Sequence, residues 1–131
     1  MANRNFNRVQ ALPKELKILS GIVKIVGATD PANAVVTLEP SNNVGITSVA
    51  RSGTGEYTIT LDDKYTSLFN ANFNLEAATA IDLVPQIKSH DVASAKTLVV
   101  NLNAGATPTD SANEVVHKIH FNLILKNSSA R

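Results

Sequence analysis

Cysteine and tryptophan are absent from this chain of 131 residues, and the aromatic residues amount to 5%, two Tyr and four Phe. Without cysteine there is no disulfide framework, no thiolate zinc site and no cysteine nucleophile. Scarce aromatics argue against a carbohydrate-binding face, which needs a stacking platform, and against base-stacking on single-stranded nucleic acid. No apolar run approaches the roughly 20 residues that a membrane-spanning helix requires, and the opening Met1 to Arg8 has no signal-peptide core. Also missing are the Gly-x-Ser-x-Gly elbow of a hydrolase and the Asp-x-Asp-x-Asp-Gly loop of a calcium site. The expectation is a non-enzymatic protein without cofactor or metal, membrane or direct nucleic-acid contact.

What the chain does contain is alternation with period two. In Phe69 to Leu75 every odd residue is apolar and every even one is Asn, the pattern of a strand with one face on a core and one in water. Near the C-terminus Val115, His117, Ile119, Phe121, Leu123 and Leu125 share one phase, with Val116, Lys118, His120, Asn122, Ile124 and Lys126 on the other. Tyr57, Ile59 and Leu61 alternate with Thr58 and Thr60, and Leu98, Val100 and Leu102 with Val99 and Asn101. A helix would scatter those polar residues around its circumference. With 44% hydrophobic residues but few aromatics, the core is built from Val, Ile, Leu and Ala with the four Phe, which suits thin β layers. Turn signals every eight to twelve residues predict a single-domain antiparallel β-sandwich or barrel of seven to eight strands.

Residues 1–13 lack any period-two pattern and end at Pro13, with Phe6, Val9 and Leu12 spaced by three as in a single helical turn or an irregular arm; they are read as an N-terminal arm, ahead of a β domain spanning 14–131. Strand character begins in Lys14 to Val26, where Ser20-Gly21 marks a bulge or bend. Val35 to Leu38 and Val44 to Val49 are short apolar runs, and Arg51 to Gly55 is a turn into the Glu56 to Leu61 strand. Pro85 makes Ile81 to Lys88 an edge or bulged strand. Ser89 to Lys96 and Asn103 to Asn113 are read as loops, with Thr97 to Leu102 a strand between them. The net charge of +1 is unevenly placed. Residues 1–24 carry Arg4, Arg8, Lys14, Lys17 and Lys24 against Glu15 (5 − 1 = +4), and the rest seven bases against ten acids (7 − 10 = −3). A basic segment with apolar Phe6, Val9 and Leu12 is a candidate contact arm, and Arg4, Phe6, Arg8, Val9 and Leu12 are its candidate partner-binding residues.

Other constellations read as structure. Ser89-His90-Asp91 are consecutive on extended chain, so their side chains diverge and cannot form a triad. His117 and His120, three apart, fall on opposite faces of a strand, and His117 on the apolar phase is a hydrogen-bonded boundary residue. Asp62-Asp63, which Asp82, Asp91 or Asp110 could join around a hard cation, read as solvated turn residues. Gly53-Thr54-Gly55 leads into a strand and not a helix, which makes it a hairpin turn and not a phosphate cradle. Asn127-Ser128-Ser129 fits a glycosylation acceptor, but nothing directs the chain to a secretory lumen. The asparagine ladder Asn70, Asn72 and Asn74, with Val116, Asn122 and Ile124, makes outer faces that are uncharged and partly apolar. Such faces suit burial against another protein.

Three stretches carry a resemblance: Arg-Asn-Phe-Asn-Arg-Val-Gln-Ala-Leu at Arg4 to Leu12, Gly-x-Gly-x-Tyr-Thr-Ile-Thr-Leu-x-Asp-x-Tyr at Gly53 to Tyr65, and Ile-x-Phe-x-Leu-x-Leu-Lys-Asn-Ser-Ser at Ile119 to Ser129. In layout the chain resembles small virion proteins of tailed bacteriophages, of the capsid decoration or cement type. That resemblance implies an oligomer, a trimer or dimer, made in the host cytoplasm and bound to the major capsid protein on the outer surface of the head. It implies a stabilising role across capsid subunits and brings no catalytic residue. A tail, neck or fibre-base component is the alternative.

Overall fold

A chain whose strands each carry one apolar face buries them by stacking two sheets. The computed structural model, which describes residues 16–79, 81–112 and 115–126, has that form. The strands are β1 (Leu16–Val26), β2 (Val35–Glu39), β3 (Ile46–Gly53), β4 (Glu56–Leu61), β5 (Ser67–Ala77), β6 (Leu83–Asp91), β7 (Thr97–Ala104), β8 (Thr107–Pro108) and β9 (Val116–Lys126). All pairings are antiparallel, and no α-helix occurs among the described residues. One sheet has the order β2-β1-β9-β5 and the other β3-β4-β7-β6, with the short β8 added to β7. At the flanks β2 lies against β3 and β5 against β6, so the sandwich is close to a flattened barrel.

The core sits between the inner faces. β9 is paired on both sides, and its inward residues His117, Ile119, Phe121, Leu123 and Leu125 are all buried. Leu19, Val23 and Ile25 of β1 join them, facing Tyr57, Ile59 and Leu61 of β4 and Leu98, Val100 and Leu102 of β7. Burying one such aliphatic side chain contributes about 1.5–3 kcal/mol, which makes the two central layers the source of stability. Phe73 and Leu75 belong to the same core but are only partly buried, because β5 lies at a sheet edge.

Several local expectations are corrected. The count rises to nine strands because β7 runs on to Ala104 and Thr107–Pro108 pairs back on it, inside the stretch read as a loop. No bulge interrupts β1: its register with β9 is continuous from Leu16 to Val26. Gly21 serves packing instead, since a Cβ there would lie 2.9 Å from Phe121 Cζ. The bulge occurs in β5, where the register shifts between Leu68 and Asn70. That extra residue takes Phe69 out of the apolar phase and leaves it 68% exposed, while Leu68 packs on the core. The third strand begins at Ile46, not Val44, and takes Arg51 to Gly53 from the expected turn. Only Thr54-Gly55 turns the chain, with Gly55 at φ +59° and a Cβ there 2.3 Å from Thr109 N. β6 is the edge strand that Pro85 predicts, bulged between Ile87 and Ser89, but it runs to Asp91. The arm, residues 1–13, and the first two residues of the expected β domain lie outside the described residues.

Candidate functional site

The main buried polar cluster gathers at the β3–β4 turn. Asp110, on the loop between β8 and β9, accepts from Arg51 Nε and Nη2 at 2.9 Å each and from the Gly55 N–H at 3.0 Å. The Arg51 hydrogen bond holds the Asp110 carboxyl below the usual carboxylate range, and Arg51 is raised in return. Beside it Ser111 Oγ and His117 Nδ1 share a hydrogen bond of 2.6 Å, with both residues buried. The Tyr57 hydroxyl is buried without a hydrogen-bond partner among the described residues, and desolvation pushes its pKa up to about 12. A serine bonded to a histidine has the outline of an activated nucleophile. Here, however, Ser111 is only 5% exposed, and the carboxylate next to it in sequence is taken by Arg51 and Gly55. The arrangement fastens the loop onto the sandwich. Local sequence gives no sign of it, because Arg51 and Asp110 stand 59 residues apart.

Desolvation lowers the His117 pKa below its ordinary 6.5. The unfolded chain then takes up a proton near pH 6.5 that the folded one resists, so stability from this group is complete above that pH and falls as the pH drops below it. Urea midpoints at pH 7 and pH 5 should show a larger acid loss for the native chain than for His117→Gln. Equal losses would assign the effect to other groups.

The remaining candidates are separated by the fold. Ser89, His90 and Asp91 are exposed on β6, and Asp91 Oδ1 accepts from Ser94 N. His117 points inward and His120 outward, where His120 Nε2 meets Glu76 Oε1 at 2.6 Å. Asp62 accepts from the Gly45 N–H at 3.2 Å and from Thr47 Oγ1, while Asp63 accepts from the Lys64 N–H. Among the described residues no group of three His, Cys, Asp or Glu is placed to hold a metal ion. The arm residues Arg4, Phe6, Arg8, Val9 and Leu12 lie outside the described residues.

What the fold does assemble is a weakly charged outer face on the four-stranded sheet. Cross-strand rows run Ile18–Ile124–Asn70, Ser20–Asn122–Asn72 and Ile22–His120–Asn74. The next row is charged, Lys24–Lys118–Glu76, and there Lys118 makes an ion pair with Glu39 at 3.4 Å. At one end Ile18 is 60% exposed and Phe69 68%, at the other Val35 57% and Val116 41%. Apolar side chains left in water at both ends of a weakly charged face are the features of a contact surface. Alternation in the sequence places Ile124 and Val116 there, whereas Ile18 joins them through its register with Ile124 and the exposure of Phe69 depends on the β5 bulge. No known protein family, curated protein or solved structure matches the chain.

Proposed function

We propose that the protein is a structural virion component without catalytic activity, a decoration or cement protein that binds the outer surface of a tailed-phage head. It acts as a homo-oligomer, a dimer or trimer, that stabilises contacts between major capsid subunits. The observation that carries the reading is the resemblance of Arg4 to Leu12, Gly53 to Tyr65 and Ile119 to Ser129 to proteins of that type. The outer sheet face supports it: weakly charged rows ending in exposed Ile18, Phe69, Val35 and Val116 fit a flat partner surface. Each contact can be weak, because attachment through several linked copies raises avidity by about 10²–10⁴ without new contacts. Arg4, Phe6, Arg8, Val9 and Leu12 add an arm for neighbouring subunits.

Heads assembled without the protein should form but lose DNA at a lower temperature, and purified protein added back should restore them. Equal robustness with and without it, together with recovery of the protein only in tail fractions, would replace the cement reading with a tail, neck or fibre-base role.

A further inference from the structure

Exposed apolar side chains scattered singly over a surface are ordinary, but three of those on this protein gather round one cavity. Ile81, Val115 and Val116 rim a cavity of about 390 Å³ at the end of the sandwich where β5 leaves its sheet and β9 enters it. Ala77 and Ala78 complete its apolar wall, and its polar members are Thr79 and His117, whose Nδ1 is already bonded to Ser111. A second cavity of about 220 Å³ shares Ala77, Thr79 and Ile81 and continues between Leu75 of β5 and Leu83 of β6. Small side chains at 77 and 78 keep the opening clear. A hollow lined in this way takes an apolar group.

The other end of the same sheet presents such a group. Phe69, turned out of the core by the β5 bulge, is the only aromatic among the exposed large apolar side chains of the described residues. We propose that the Phe69 ring of one copy inserts into the cavity between Ala77, Ala78, Ile81, Val115 and Val116 of a second copy. Size permits it, since an apolar cavity of about 150 Å³ already accommodates a benzene ring. Charge favours it as well. Lys126 stands in register with Ser67 at the Phe69 end, and Asp82 follows Ile81 at the cavity. Neither has an ion-pair partner among the described residues, and docking the ring brings the ammonium of one copy toward the carboxylate of the next.

The ring cannot fill the cavity of its own chain. From Asn70 to Ala77 β5 keeps an unbroken register with β9 and spans about 24 Å, so knob and socket are held apart on one rigid strand. A contact between unlike surfaces closes either as a ring of copies or as a pair that exchanges two knobs. Both agree with a dimer or trimer. The inference gives the oligomer its contact and rests on the oligomeric reading above. It takes Phe69 and Val116 into that contact and leaves Ile18, Val35 and the rows between them for the head.

Full-length variants can break knob and socket separately. Phe69→Ser removes the ring, and Ala78→Trp, at an exposed position, fills the cavity. Ile81→Lys at the rim closes the socket in a second way. Circular dichroism and urea unfolding check that each folds as the native chain does, and sedimentation over a concentration series reads association. Each variant alone should associate more weakly than the native chain by about 30-fold or more, the loss expected for a buried aromatic anchor. An equimolar mixture of Phe69→Ser with Ala78→Trp should recover a species of two chains, because the second still offers its ring to the open cavity of the first. Native-like association of Phe69→Ser or of both socket variants, or a mixture that stays monomeric, would overturn the proposal. So would a native chain that is monomeric throughout. Head binding is measured alongside. Variants that stay oligomeric and bind heads remove the ring contact and leave the cement function standing. Pairing restored in the mixture, with a native oligomer that ignores heads, does the reverse.

Discussion

Phe121→Ala should destabilise the domain by about 3–5 kcal/mol, the range for deleting a buried phenyl ring. Phe121 is 3% exposed at the middle of the central strand, in register with Gly21 on one side and Phe73 on the other. Its ring centroid lies 6.2 Å from that of Phe73. Gly21 has no side chain with which to fill the void, and Phe73 is held at the sheet edge, so the site relaxes poorly. Phe121→Leu, which refills much of the volume, should recover most of the loss. Urea unfolding of the three chains measures this, and a loss below about 1 kcal/mol for Phe121→Ala would show that the ring is not part of a packed core.

Asp110→Ala should cost about 2–4 kcal/mol, because it leaves the Arg51 guanidinium and the Gly55 N–H without their acceptor. The side chains of Arg51 and Asp110 are 19% and 10% exposed, so water recovers only part of the lost interaction. The clamp ties the β8–β9 loop to the β3–β4 turn. Its removal should also free the Ser111–His117 pair next to it. The double variant Arg51→Ala/Asp110→Ala should be less destabilised than the sum of the two single variants, since removing both partners leaves no orphaned charge. Additive losses would mean that the two side chains do not act as a pair.

Period-two alternation determines a large part of this architecture. Tyr57, Ile59 and Leu61, Leu98, Val100 and Leu102, and His117 to Leu125 all bury the phase that the sequence assigns them. A strand's two faces differ in free energy by several side-chain transfers, so a slip of one residue exposes the whole apolar set. The Gly55 turn is equally local, because a glycine next to a strand start can take the left-handed backbone that the hairpin requires. Composition alone removes cysteine chemistry.

Only tertiary structure decides the rest. Whether Gly21 bends a strand or receives the Phe121 ring depends on which strand lies alongside, and the pairing of β1 with β9 brings together residues about 100 positions apart. The β5 bulge exposes Phe69 because the partner strand has one residue fewer to offer at that point. The Arg51–Asp110 clamp and the Ser111–His117 bond form because β3, β4 and the loop before β9 converge at one end of the sandwich. Ion pairs and hydrogen bonds between distant segments follow from the path of the chain, which no local periodicity encodes. The same holds for sheet order: alternation identifies a strand, but only the pairing decides that, among the described residues, β2, β5, β3 and β6 lie at the edges.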